Sequence, residues 1–297
     1  MTTRTLATPL DRRAILTSSR GGRRTFVDRA MRGLALAATV ACVVPLVAVL
    51  LFVTINGLPA VTIDLLTKPP KALGVGGGAV SAILGSIQMV SLAALIAIPV
   101  GVLAGVFLSE FASRRSASVV RFAGDVMVGV PSILIGVFVF TFLVLPFKQY
   151  NAFAGSVALA VIMIPVIMRT TEEILKLVPG NLREASFALG VSRSRTVLSI
   201  VIRTGLPGVL TGVMLAVARA AGETAPLLFT ALGSRLVNVG DLRRPMDALP
   251  LFIYNNARQP YPVLNEQAWG AAFLLLLFVL VVNVAVRART WGRRMSP

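Results

Sequence analysis

The chain has no histidine and a single cysteine, Cys42. Without imidazole or paired thiols it offers no zinc-ligand set, and one thiol allows no internal disulfide. No Gly-x-x-x-x-Gly-Lys-Ser/Thr run occurs, so the chain carries no Walker-type nucleotide loop of its own. Charge is scarce as well: charged residues make up 14% of the 297, where soluble domains hold about 25%. Acids are the scarcer sign, 12 against 29 Lys and Arg, which leaves a formal charge of +17. A nucleophile, a base and a third orienting group cannot be assembled within the apolar stretches, which argues against an intramembrane enzyme.

What the chain has in abundance is apolar length. Hydrophobic residues make up 56% of it, and the mean hydropathy is +0.83. Six stretches are expected to span a membrane: about 34–55, 79–108, 122–146, 152–168, 206–231 and 267–286. The first is too long, and too far from the start, to be a cleavable signal peptide. Six crossings put both termini on one side. That side collects 21 of the 29 basic residues against seven on the other, with Arg219 left over inside a span. Basic excess marks the cytoplasmic face, so both termini are expected in the cytoplasm. The same bias accounts for the net charge without nucleic acid, and it suits contact with anionic membrane lipids. Residues 1–33 read as a flexible basic cytoplasmic tail, 34–288 as a transmembrane domain and 289–297 as a short cytoplasmic tail.

Arg219 and Glu223 stand out. They lie four apart in Ala-Arg-Ala-Ala-Gly-Glu-Thr-Ala-Pro, within the apolar run 206–231. A helical reading puts both on one face, a turn apart. A charge at that depth costs about 2.5–3.5 kcal/mol. Such residues face a bundle interior and mark a substrate path, or else form a bridge that only fixes helix packing. Arg169, at the end of the fourth span, either anchors that end or guides an anion. Asp125 and Arg121, one turn apart, read as a local helix-end pair. Pro99, Pro131, Pro165 and Pro226 within or near the spans imply kinks or broken helices. Gly101 and Gly105, four apart, permit close helix contact. The external stretch 232–266 mixes four prolines with Leu249, Leu251, Phe252 and Tyr254, and it forms either a docking surface or an ordered loop.

Between the fourth and fifth spans, 169–205 is long, charged and amphipathic. Pro179-Gly180 stops one helix. Asn181 with Glu184 has capping-box spacing for the next, Gly190 suits a helix C-terminus, and Ser192 can cap a further helix toward the fifth span. The product is a short helix across the cytoplasmic face.

Glu184-Ala185-Ser186, with Gly190 and Ile200 following, resembles the coupling motif of ABC importer permeases, although Ile202-Arg203 stands where Leu-Pro is usual. The Gly129–Phe138 stretch resembles the third-span signature of phosphate importer permeases. Ala218–Ala231 is similar to the fifth-span signature of their A-type subunit, the PstA family, and Arg169-Thr170-Thr171-Glu172 matches that subunit's fourth-span exit. The resemblance implies an all-α membrane protein: six transmembrane helices of the type I ABC importer permease class, with a cytoplasmic coupling helix. It implies a non-catalytic subunit forming half of a phosphate path in the bacterial inner membrane. Implied partners are a second, PstC-like permease, a PstB-like ATPase dimer that binds ATP and Mg, and an extracytoplasmic PstS-like phosphate-binding protein. Arg219, Glu223, Arg169 and Thr224 would serve translocation, and Glu184, Ala185 and Gly190 would serve ATPase coupling. A permease for molybdate or sulfate, or a channel or carrier working alone, are the alternative readings; a lone carrier has no use for an ATPase dock.

Overall fold

The computed structural model describes residues 20–72 and 74–292. Of the tail expected over 1–33, residues 1–19 lie outside the described residues, as do 293–297 of the C-terminal tail. The chain divides into residues 1–52 and 53–297. Within the first unit runs most of helix α1 (Arg20–Ala60), which starts well before the expected apolar span. Its side chains from Arg24 to Phe52 are exposed, as on a surface suited to lipid rather than water.

The second unit is also helical. After the end of α1 come α2 (Ile63–Thr67) and α3 (Val80–Val106), which a π-helical turn extends to Phe111. Next are α4 (Arg114–Gly129) and α5 (Ser132–Val139), the latter prolonged by a π-turn to Val144, then α6 (Ala152–Lys176). The chain continues with α7 (Gly180–Ala188), α8 (Arg193–Thr196) and, through a further π-turn, α9 (Ile202–Ala221). It ends with α10 (Ala225–Thr230), α11 (Leu249–Ala257) and α12 (Pro262–Gly292). Among the described residues, five helical runs are long and apolar enough to cross a membrane, and a sixth crossing arises if the bent pair α4–α5 is one span.

That pair corrects the expected third span, 122–146. The axes of the two helices differ by 100°. Pro131 has no N–H and disfavours helical backbone at the residue before it; Val130 is accordingly extended, with φ −69° and ψ 129°. Pro99 and Pro165 instead lie inside unbroken α3 and α6. The fourth span is also longer than expected, because α6 continues past Arg169 through two more turns of charged residues.

At the centre of the core is α6, which buries Leu159, Met163, Ile167 and Leu175. Glycines let its neighbours approach. A Cβ on Gly101 of α3 would lie 2.8 Å from Ile167 Cβ, and one on Gly105 would lie 2.6 Å from Thr171 Cβ. On the α9 side, Gly205 faces Leu175 and Gly208 faces Ile174, each 2.7 Å from where a Cβ would stand. Backbones this close gain dispersion contacts without needing large side chains.

Candidate functional site

Arg219 lies in the last turn of α9, and Glu223 lies beyond the helix. The expected continuous helix through both residues is therefore broken. Pro226 has no N–H to offer the carbonyl of Gly222, and glycine itself is a poor helix former. The break suits both charges, since a cation favours a helix C-terminus and an anion favours the start of the next helix. Thr224 occupies the N-cap position of α10, although its hydroxyl makes no capping hydrogen bond.

The pair meets across the break, with Arg219 Nε 3.7 Å from Glu223 Oε1 and the arginine side chain half exposed. That is an ion pair but too long for a hydrogen bond. Arg219 lines a small pocket with Val130, Ser132, Ile135, Ile162 and Val166, so it faces the bend between α4 and α5. The N-terminal end of α5, with Ser132, lines the same pocket. A guanidinium beside such an end offers convergent N–H donors to an anion.

Arg169 lies one turn beyond Val166 along α6. It is not free: its guanidinium is 3.3 Å from Asp125 Oδ1, 3.7 Å from Glu172 Oε2 and 3.9 Å from Glu173 Oε1. Asp125 therefore pairs across to α6 and not with Arg121, as the helix-end reading expected. Arg121 in turn binds Glu172, Nε to Oε1, at 2.6 Å. Lys176 Nζ reaches the same carboxylate oxygen at 2.5 Å. Glu172 is fully buried, and three basic groups compensate its charge.

Of the expected coupling residues, Glu184 and Ala185 sit apart from these on α7, and Gly190 lies just beyond it. Helix α7 begins at Gly180 after Pro179 and has no side-chain N-cap, so Asn181 lies inside the helix and the capping box does not form. Glu184 and Ala185 are exposed, whereas Ser186 is buried and bonds Thr196, Oγ to Oγ1, at 2.8 Å. Gly190 closes the segment with φ +75°, left-handed backbone that glycine adopts without strain. Ser192 stands at the N-cap of α8 without a capping hydrogen bond.

Within 232–266, α11 buries Leu249, Leu251 and Phe252. Asp247 precedes it, 7% exposed, and lines a cleft of about 280 Å³ with Arg235, Asn255 and Asn256. Burial pushes its carboxyl up to about 7, and the hydrogen bond from the Ala248 N–H opposes this only in part.

Sequence reasoning missed the pairing of buried Glu172 with Arg121, and also Glu110, which binds Arg183 at 2.9 Å. A signal was there, because in a chain with 12 acids any carboxylate near an apolar run needs a cationic partner.

Comparison with known proteins adds the following. Residues 97–289 match the family described as "Binding-protein-dependent transport system inner membrane component". The chain is 43% identical over 233 residues to the "Phosphate transport system permease protein PstA" of Pasteurella multocida, covering 78% of this chain and 83% of that protein. To the protein of the same name from Haemophilus influenzae it is also 43% identical, over 78% and 82% of the two chains. To "Phosphate transport system permease protein PstA 1" of Mycobacterium tuberculosis it is 39% identical, over 74% and 73%. Among solved structures, a chain of the inward-facing MetNI methionine ABC transporter superposes with a TM-score of 0.59 at 19% identity, over 72% of this chain and 94% of that one. A chain of a bacterial alginate ABC transporter gives 0.62 at 12% identity, over 89% and 94%. These two likenesses show the fold.

Proposed function

We propose the following role from the premise that the chain belongs to the binding-protein-dependent transport system inner membrane components, and among them to the PstA-type phosphate permeases. It is a multi-pass inner-membrane permease subunit of an ATP-driven phosphate importer. A permease of this kind works with an ATPase and a substrate-binding protein. Its finer partners in our reading are a PstC-like permease completing the path, a PstB-like ATPase dimer holding ATP and Mg, and a PstS-like protein delivering phosphate. Hydrolysis belongs to the ATPase, and this chain supplies part of the conduit. The basic bias of the loops supports cytoplasmic termini.

One observation carries the assignment of the anion site. Among the described residues, Arg121, Arg169 and Arg183 are held by carboxylates or carbonyls at hydrogen-bonding distance. Arg219, in contrast, is half exposed and has only Glu223 at 3.7 Å. Its guanidinium N–H groups are available, and a phosphate can accept two of them in parallel. In this mechanism the anion reaches the bend between α4 and α5. Arg219 replaces part of its hydration there and lowers the barrier to its passage. Glu223 compensates Arg219 in the empty path and accepts a hydrogen bond from protonated phosphate, which sulfate at neutral pH cannot donate. Thr224 adds a hydroxyl at the same break. Arg169, one turn along α6, becomes available to the leaving anion only when its carboxylates let go. Exposed Glu184 and Ala185, with Gly190 closing the segment, dock on the ATPase. The test is labelled-phosphate uptake by the reconstituted complex carrying Arg219→Ala: uptake is expected to collapse, and wild-type uptake would remove Arg219 from the path.

A further inference from the structure

The guanidinium of Arg183 gathers three elements. It belongs to α7, one residue before Glu184. Its Nη2 donates to Glu110 Oε1 at 2.9 Å and to the Leu175 carbonyl at 2.9 Å, while Nη1 donates to the Val178 carbonyl at 2.6 Å. Leu175 lies in the last turn of α6, where main-chain carbonyls lack helical partners and a cation is favoured. Glu110 lies in the π-turn that ends α3, and its side chain is 8% exposed. Ser109 Oγ donates to the same Oε1 at 3.0 Å. A second arginine grips the same place: Arg193, the first residue of α8, donates to the Glu110 carbonyl and lies 5.4 Å over the Phe111 ring.

The surroundings make this a joint rather than a surface ornament. Helices α3 and α6 are the pair pressed together at Gly101 and Gly105, so whatever holds both ends at once holds the centre of the bundle. From that grip α7 extends outward, with Glu184 and Ala185 exposed. Its one buried residue, Ser186, ties it to Thr196 of α8. A side chain held this way has no freedom left to bind an anion, and neither Glu110 nor Arg183 lines the pocket at Arg219.

We propose that Glu110 and Arg183 are positioning residues for transport: the pair delivers a displacement of α7 to the ends of α3 and α6. The proposal rests on the reading that α7 docks on the ATPase, and goes beyond it by naming the linkage inside the permease. The buried carboxylate and the forked guanidinium form a connection that moves as one body. A neutral or single-point substitute leaves the contact but loosens the register.

The experiment uses the whole complex in proteoliposomes and measures phosphate moved per ATP hydrolysed. Glu110→Gln and Arg183→Lys are expected to copurify with the ATPase and to hydrolyse ATP. Phosphate per ATP should fall about tenfold, the usual scale of a lost coupling between sites. An unchanged ratio with an intact complex overturns the proposal. So does loss of the complex in both variants, since the pair would then be holding the fold and not relaying motion. Glu184→Lys, on the exposed face of α7, separates the two ideas. If it leaves ATPase binding intact, the docking reading fails; if it weakens binding while Glu110→Gln keeps a normal ratio, only the joint fails.

Discussion

Arg121 of α4 and Glu172 of α6, 51 residues apart in sequence, meet at 2.6 Å, and Asp125 of α4 faces Arg169 of α6 with the signs reversed. The spacing is four residues on one helix and three on the other, so each pair lies about one turn from its neighbour. Two opposed bridges fix the register of α4 along α6, which neither would do alone. This is why α4, turned 100° from α5, has a defined seat. Removing Arg121 leaves buried Glu172 with Lys176 and a more distant Arg169. We expect Arg121→Ala to destabilise the detergent-solubilised protein by about 1–3 kcal/mol. A double-mutant cycle with Glu172→Gln should give a coupling of at least about 0.5 kcal/mol in thermal unfolding; strictly additive effects would show that the contact does no linking.

The proposed anion site gives a sharper contrast. Arg219→Lys keeps the charge but loses the fork, so it should retain a reduced fraction of uptake, whereas Arg219→Ala should lose about 10²-fold or more, the scale of removing one preorganised charged donor. Wild-type uptake by both variants would mean that charge and geometry are both irrelevant there. Glu223→Gln should narrow the preference for phosphate over sulfate in competition assays, because an amide no longer favours the protonated oxyanion. Unchanged selectivity with normal uptake would confine Glu223 to neutralising Arg219.

Most of the helices, and the residues proposed for the anion site, were legible because they rest on local signals. Apolar length marked the spans, Pro179-Gly180 marked the end of α6, and an unexplained Arg–Glu spacing marked residues 219 and 223. What was not legible depended on competition between local signals or on distance. Pro131 could have kinked the third span or divided it, and packing of Gly136 against Pro226 of α10 together with the bridges from α4 to α6 rewards the divided form. Glu172 stood out only as the last residue of the Arg169-Thr170-Thr171-Glu172 stretch. Its burial follows from α4 folding back along α6, which periodicity within α6 cannot reveal. Asn181 had the spacing of a cap, yet the helix starts one residue earlier, at Gly180, and the N-cap position falls on Pro179.

Gly190 can be tested on backbone grounds alone. Its φ is +75°, and no atom beyond its chain neighbours lies within 4 Å of where a Cβ would stand. Strain, not crowding, is therefore what a side chain would bring. A left-handed residue other than glycine costs about 1–2 kcal/mol, and Asn tolerates the region better than most. Gly190→Asn should keep near-normal ATPase copurification and uptake, and Gly190→Val should lose much of both. If Val and Asn behave alike, the left-handed turn is not what the segment requires.

Asp247 provides a pH-dependent test away from the spans. Its carboxyl titrates near 7 in the folded chain against an ordinary value of 3.8. The folded state therefore holds a proton between these values that the unfolded state has released. Stability must fall as pH rises through that window and level off above about 7, the reverse of a salt-bridged acid. The size follows from the gap of roughly three pH units, on the order of 4 kcal/mol if the site stays dry. Asp247→Asn keeps the acceptor for the Ala248 N–H and has nothing to deprotonate. Melting temperatures of both proteins at pH 5 and pH 8 give the answer. The variant should melt higher at both values, and by clearly more at pH 8 than at pH 5. A wild-type protein that matches the variant at both values would mean that water enters the cleft and the carboxylate is ionised throughout.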